Sequence, residues 1–274
     1  AIHASIIAFH GLGEHIMRYD AVFLRWAQHG YRIIGFDQRG FGQTGQRRTV
    51  GHNEGLRRVM KDALELADAY ALNDAPLHAF GHSMGGFLAL HFAALHPQRV
   101  ASVAASGPLI LRGSNAGASI VKDTALRVLA PLLRTVVMKN PLTVADVSRD
   151  PAVVADFEAD PLCHAYVSVG TAYDIVTGGE GLNRNPNQVT VPCMIAHGTA
   201  DRMTDPTASQ RFIANLAIAD KRYVPLDGLY HEILFEPEKE WVSRSFLDWF
   251  DEHTAPRTGS PPTGTPMLAS PMAF

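Results

Sequence analysis

Leu77-His78-Ala79-Phe80-Gly81-His82-Ser83-Met84-Gly85-Gly86 decides how the rest of the chain is read. A short apolar run leads into Gly81, and an apolar pattern with helical spacing leaves Gly86. Between them Gly81-His82-Ser83-Met84-Gly85 fits G-x-S-x-G, a strand–turn–helix in which a serine hydroxyl is lifted clear of both elements. Its glycines answer to sterics. A side chain at Gly81 or Gly85 would collide where the strand and helix backbones approach each other. Gly86 keeps the start of the helix slim.

Outward from this turn, short apolar strands alternate with helices. Ala4 to Phe9 reads as a buried strand, followed by the loop His10-Gly11-Leu12-Gly13-Glu14-His15. Asp20 is placed to cap a helix bearing Val22, Phe23, Trp26 and Ala27, with Gly30 as a left-handed stop. Tyr31 to Phe36 is a second strand, ending at Asp37 and the loop through Gly42. A helix from about Asn53 to Ala71 carries Leu56, Val59, Met60, Ala63, Leu64 and Ala67 on one stripe. The helix after Ser83 is apolar nearly all round, and Val100 to Ala105 is the next strand. Strands that are apolar throughout rather than alternating belong to a parallel sheet covered on both faces. In such sheets chemistry collects at the carboxyl ends of the strands, where His10, Asp37 and Ser83 all fall.

The rhythm breaks between about Ile110 and Val189, which holds helical patches (Ile120 to Val137) and polar turns (Gly178-Gly179-Glu180-Gly181, Asn183 to Asn187) but no clear strand. Eighty residues is too long for a loop, so residues 110–189 are expected to form a largely helical cap over the active-site end. The sheet returns at Val191 to Ala196 and at Lys221 to Pro225. A last helix runs from about Pro237 to Glu252. The expected division is therefore an α/β core of residues 1–109 and 190–253, a cap of residues 110–189, and a Pro-, Gly-, Ser- and Thr-rich, disordered tail of residues 254–274.

Composition narrows the function. Of 274 residues 46% are apolar, enough for one sizeable core, and the net charge of −3 gives no reason to expect a nucleic-acid partner. No apolar run reaches the length of a membrane span, and Ile6 to Phe9 lacks the basic lead of a signal peptide. Cys163 and Cys193 are far apart in sequence and make no disulfide framework, so a reduced, cytoplasmic setting is expected. The chain opens at Ala1 and runs at once into a strand, as expected if its natural N-terminus lies upstream.

A serine hydroxyl is a poor nucleophile at neutral pH and needs a base, which in turn needs a third group to hold its tautomer. On a sheet of this kind those partners follow the serine in the order acid, histidine. Of thirteen histidines, only His231 stands in the right place, just after the last strand. His10 suits a structural role in its glycine turn, and His82 points sideways. For the acid, Asp201 directly follows its strand, whereas Asp205 before Pro206 reads as a helix cap. Asp37 precedes the serine and is better explained as pairing with Arg39 or capping its loop. The backbone amides of Leu12, between two glycines, and of Met84, just after the serine, are placed to receive an oxyanion. No metal or cofactor is required.

Together, His10-Gly11-Leu12-Gly13-Glu14-His15 with Arg18-Tyr19, Asp37-Gln38-Arg39-Gly40-Phe41-Gly42, Gly81-His82-Ser83-Met84-Gly85-Gly86, His197-Gly198-Thr199-Ala200-Asp201 and Tyr230-His231 resemble the monoacylglycerol lipase branch of the α/β-hydrolases. The cap segment Ser148-Arg149-Asp150-Pro151 through Asp160-Pro161-Leu162 is also similar. The resemblance covers about Ala4 to Glu252. It implies a serine hydrolase that splits monoacylglycerols into glycerol and fatty acid, with Ser83, Asp201 and His231 catalytic and Leu12 and Met84 as oxyanion donors. It also implies an apolar acyl channel under the cap and peripheral contact of the cap with membranes or lipid droplets. Glu14 and Arg18 match the loop at the glycerol end, as substrate contacts or as a structural salt link. Two features depart from the family. There is no antiparallel strand pair before the first parallel strand, and Leu234 stands where animal members carry a second histidine. A lysophospholipase or general carboxylesterase would use the same triad, and other enzymes on this scaffold cleave carbon–carbon bonds or run perhydrolysis. A ligand-binding protein with little turnover is the alternative of another class.

Overall fold

The computed structural model describes residues 2–72, 75–113, 120–140 and 143–254. Six strands form one sheet: β1 (Ala4–Phe9), β2 (Tyr31–Gly35), β3 (Leu77–His82), β4 (Ser102–Ser106), β7 (Cys193–Gly198) and β8 (Lys221–Leu226). Their order is β2-β1-β3-β4-β7-β8, and every neighbouring pair is parallel. β1, β3, β4 and β7 are buried along their whole length, as mainly apolar strands without alternation should be, with Ser5, His78, His82, Ser102, Ser106 and His197 buried among them.

Successive side chains of a strand point to opposite faces, so each face has its own core. On one side Ile7, Phe9 and Ala79 pack with α3 (Leu56–Tyr70), α4 (Met84–Leu95), α7 (Val169–Arg184) and α8 (Pro206–Asn215). On the other, Ile6, Ala8 and Phe80 pack with Trp26 of α1 (Asp20–Gln28) and with Phe246, Trp249 and Phe250 of α9 (Lys239–Thr254). The central ring pair, Trp26 on Phe80, meets edge-on at 4.9 Å between centroids. α2 (Gly42–Gly45) is a single turn in the loop after β2. α5 (Ile120–Leu133), β5 (Val137–Lys139), α6 (Pro151–Ala159) and β6 (Tyr166–Ser168) lie in the segment expected to be a cap.

That segment differs from expectation in two ways. Gly178 to Gly181 is not a polar turn; α7 runs straight through it. The glycines answer to close approach instead, since a Cβ on Gly178 would lie 2.5 Å from Cζ of Phe87 in α4, and one on Gly179 would lie 2.5 Å from the Ile110 carbonyl oxygen. The segment also has a strand pair, because β5 and β6 are antiparallel, with Val137 opposite Ser168 and Lys139 opposite Tyr166. Three residues per strand are too few to show a period in sequence.

Smaller differences have local causes. Asp20 is the first residue inside α1, entered from a 3-10 turn at Ile16–Tyr19, and makes no capping hydrogen bond. α3 starts at Leu56 rather than Asn53 because Glu54 (φ 63°) and Gly55 (φ 102°) are left-handed, and Asn53 Oδ1 accepts from the Gly55 amide. α9 extends to Thr254; the rest of the expected tail, 255–274, lies outside the described residues. Asp205 does cap α8, accepting from the Thr207 amide ahead of Pro206 at the first helical position.

Candidate active site

The turn after β3 puts Ser83 at φ 55°, ψ −119°, a conformation that costs a non-glycine residue about 1–3 kcal/mol and persists only where its surroundings fix it. The Ser83 amide donates to the Ser106 carbonyl of β4 at 2.9 Å, and the Ser83 carbonyl accepts from the Phe87 and Leu109 amides at 3.1 and 3.0 Å. A Cβ at Gly81 would run into the Gly85 carbonyl, and one at Gly85 into the Phe9 carbonyl of β1. The sterics expected of this motif are thus present.

β7, next to β4, and β8, next to β7, run parallel and bring the acid and the base together in the loops that follow them. His231 Nδ1 lies 2.6 Å from Asp201 Oδ2, with both side chains buried. Oδ2 also accepts from the Thr204 hydroxyl at 2.8 Å and faces His197 Nε2 at 3.0 Å. Oδ1 accepts from the Met203 and Thr204 amides at 2.7 and 3.0 Å. Burial alone would raise the Asp201 pKa, but the His231 charge and these hydrogen bonds hold it well below the usual carboxylate range. Burial alone would lower that of His231; the Asp201 charge and hydrogen bond outweigh it, and the net shift is upward. A Cβ on Gly107 would lie 3.4 Å from His231 Nδ1 and 3.5 Å from Asp201 Oδ2, so the loop after β4 presses against the pair. Asp205 faces Thr207 and Arg211 instead.

The loop after β1 lies against the serine, since a Cβ on Gly11 would be 3.3 Å from Ser83 Cβ. His10 is a strut here. Its Nε2 accepts from the Gln38 amide, and Gln38 donates back to the His10 carbonyl. Asp37 accepts from the Ile16 and Gln43 amides, which caps the loop as expected, while Arg39 pairs with Asp62 and Glu54 rather than with Asp37. Among the described residues the Leu12 and Met84 amides have no intramolecular acceptor. Two backbone donors are therefore available beside Ser83.

Glu14, Arg18 and Glu232 form a buried ion cluster on the same rim. Arg18 donates to Glu14 at 2.5 Å and bidentately to Glu232 at 2.6 and 2.8 Å, while Glu14 also accepts from the Gly11 amide and the Tyr19 hydroxyl. Burial opposes ionisation of Glu14, but Arg18 holds it down at about 2; for Glu232 burial prevails and the shift is upward. A small cavity of about 40 Å³ is lined by Leu12, Glu14, Ser83, Phe157, His231 and Glu232, among others. Ser83 and His231 thus share one cavity wall, and Glu14 reaches it, whereas Arg18 is taken up by its two carboxylates.

Sequence reasoning singled out neither Glu232, Thr204, His197 nor the role of His82. Glu232 is adjacent to His231, and His197 begins the segment ending at Asp201, so position in chain order was the one available signal. His82 is buried against His231, with ring centroids 4.6 Å apart and Nδ1 3.0 Å from the Ser106 hydroxyl. Burial, then the His231 charge, pushes its pKa down to about 3, so it is neutral.

Comparison with known proteins follows the same lines. A family profile described as serine aminopeptidase, S33, matches residues 1–238. An abhydrolase domain-containing protein of Dictyostelium discoideum is 32% identical over 91% of this chain, which spans only 26% of that longer protein. A monoacylglycerol lipase of Mycolicibacterium smegmatis is 31% identical, with 90% of this chain and 88% of the lipase covered. Among solved structures, the monoacylglycerol lipase of Paleococcus ferrophilus superposes with a TM-score of 0.85 at 26% identity, over 91% of this chain and 95% of that one.

Proposed function

We propose that this chain, which belongs to the serine aminopeptidase S33 family of α/β-hydrolases, hydrolyses monoacylglycerols to glycerol and a free fatty acid through an acyl-enzyme. The observation that carries the reading is the buried Asp201–His231 pair at 2.6 Å, whose histidine lines the same cavity as Ser83. In this reading Ser83 Oγ attacks the ester carbonyl while His231 Nε2 takes its proton. Asp201 holds the proton on Nδ1 and stabilises the imidazolium, and the Leu12 and Met84 amides donate to the oxyanion. The glycerol oxygen leaves with the proton from His231. Water then attacks the acyl carbonyl, giving its proton to His231, and the fatty acid is released as Ser83 is reprotonated. The depressed Asp201 pKa supports this division of labour, since an ionised carboxylate is what the imidazolium needs.

Residues 110–189 act in this proposal as the cap. They supply Phe157 and Val147 to the cavity wall. They also carry exposed apolar side chains along the end of α5 and into β5: Val128, Leu129, Leu132, Leu133, Val136, Val137 and Met138. A run of this kind fits peripheral contact with a lipid surface. No helix among the described residues is long and apolar enough to cross a membrane.

The test is turnover of monoacylglycerols, lysophospholipids and short activated esters side by side. The highest kcat/KM is expected on a monoacylglycerol, and Ser83→Ala should lower kcat by about a million-fold. A preference for lysophospholipid would overturn the substrate assignment. Folded protein whose Ser83 fails to react with a fluorophosphonate would favour a ligand-binding protein without turnover.

A further inference from the structure

The turn that follows α6 meets the loop after β1 through three metal-ligating side chains. His15, Asp160 and Cys163 each present one donor atom, and these atoms all lie within 4.8 Å of one another. We propose that they form a binding site for one divalent cation of the zinc class, which straps the cap turn 160–163 to the loop carrying Leu12 and Glu14. None of the three touches the Asp201–His231 pair or lines the reaction cavity.

Backbone contacts hold the site in place. Asp160 Oδ1 accepts from the Leu162 amide at 2.8 Å, and the Cys163 amide donates to the Asp160 carbonyl at 3.1 Å, so the turn fixes its two ligands relative to each other. The next amide, His164, donates to the Gly13 carbonyl at 2.8 Å and brings the turn onto the loop. The Ile16 amide bonds to Asp37 and fixes the backbone just after His15. His15 Nε2 lies 2.7 Å from Asp160 Oδ2, but its Nδ1 is buried without any hydrogen-bond partner, and the side chain is only 7% exposed. Nε2 is the ring nitrogen that faces Asp160, so it is the one placed to share an ion with that carboxylate.

The donor set selects the ion. Imidazole, thiolate and carboxylate together suit zinc, whereas magnesium and calcium take oxygen ligands. Metal–ligand bonds of about 2.0–2.3 Å in tetrahedral geometry separate ligand atoms by about 3.3–3.8 Å, so the three need to move by about 1 Å, leaving a fourth position for water. On binding, the Cys163 Sγ–H bond breaks, the proton passes to solvent, and an Sγ–metal bond forms. One thiolate and one carboxylate then balance the 2+ charge. Arg18, the nearby cation, is already neutralised by Glu14 and Glu232.

The experiment uses metal-stripped, reduced full chain titrated with Co2+ and Zn2+. One equivalent of Co2+ should give a near-ultraviolet thiolate-to-cobalt band and the visible bands of a tetrahedral site, both removed by Zn2+. Zn2+ in about hundredfold excess over its dissociation constant should raise the unfolding midpoint by about 5 °C or more. Cys163→Ser should abolish the near-ultraviolet band, and His15→Gln and Asp160→Asn should each weaken binding at least about tenfold. The three variants report independently, so misfolding of one, seen in its circular dichroism, leaves the others to decide. No stoichiometric binding, a thiolate band that survives Cys163→Ser, or equal affinity in wild type and all folded variants would overturn the site. These readouts do not depend on turnover, so their outcome is separate from that of the monoacylglycerol assignment.

Discussion

Replacing Asp201 by asparagine tests the proposed chemistry at its most constrained atom. Oδ1 serves the Met203 and Thr204 amides, and both need an acceptor. The asparagine must therefore keep its oxygen there and turn its NH2 toward His231, where Oδ2 now sits at 2.6 Å. An amide donor at that place makes His231 Nδ1 the acceptor and moves the ring proton to Nε2. The base then faces Ser83 with no lone pair. Loss of the correct tautomer costs a serine hydrolase about ten-thousand-fold in kcat, or about 5.5 kcal/mol of transition-state stabilisation. The backbone bonds survive, so the fold should too. The assay is kcat/KM on a soluble activated ester from pH 5 to 9, with circular dichroism as the folding control. In wild type the rising limb belongs to neutral His231 and should lie above the ordinary value of 6.5, because the net shift is upward. Asp205→Asn is the control. Asparagine caps a helix as well as aspartate does, so its activity should stay within about twofold of wild type. Asp201→Asn within about tenfold of wild type, or an equal loss in Asp205→Asn, would refute the assignment of the acid.

Other expectations follow from burial and packing. His78 and His82 are both pushed down to about 3, by burial first, and stay neutral when folded. The unfolded chain takes up those protons near pH 6.5 and the folded chain does not, so stability should fall as pH drops from 6.5 toward 4. His78→Gln should flatten that slope by up to about 1.4 kcal/mol per pH unit in urea titrations, and an unchanged slope would count against its buried neutral state. Gly178→Ala should destabilise by about 1–3 kcal/mol because the new methyl meets Phe87, although helix propensity alone favours alanine by about 1 kcal/mol; a gain in chemical denaturation would mean α7 and α4 are not so close. Leu132→Glu should reduce cosedimentation with phospholipid vesicles by about tenfold while leaving turnover of a soluble ester unchanged; undiminished binding would move the lipid contact elsewhere.

The sheet was legible because its signals are local. Mainly apolar runs such as Ala4 to Phe9, stops such as Gly30 (φ 94°) and the Asp205-Pro206 helix start each state their conformation within a few residues. Chain order pointed to Ser83, Asp201 and His231 in the same way, and the structure brings Asp201 to His231 and places Ser83 on the cavity that His231 lines. Glycine in the segment expected to be a cap was misread because its two uses look alike in one dimension. Gly178 and Gly179 would suit a turn, yet their role depends on Phe87 and Ile110, more than sixty residues earlier. The same holds for Arg18, which meets Glu232 across 214 positions, and for His15, which meets Asp160 across 145.

That contrast runs between backbone-fixed and packing-fixed parts of the site. The serine turn and the cradle of the Asp201 carboxylate are held by hydrogen bonds within the loops of the sheet. Residues 110–189 add a few backbone bonds to the same loops, from His164 to Gly13, from Gly113 to Met203 and from Asp205 to Leu111. The remaining wall is set by cross-chain contacts: the Glu232 amide on the Val147 carbonyl, the His164 amide on Gly13 and the Ser168 amide on Gly51. A cavity of about 40 Å³ holds about one water, whereas sites that bury a drug-sized ligand measure about 300–1,000 Å³. In the proposed reading an acyl chain is accommodated by movement around Val147 and Phe157, which line that cavity from residues 110–189. On that proposal reaction type and chain-length preference reside in different residues, and only the first set lies where short-range sequence signals reach.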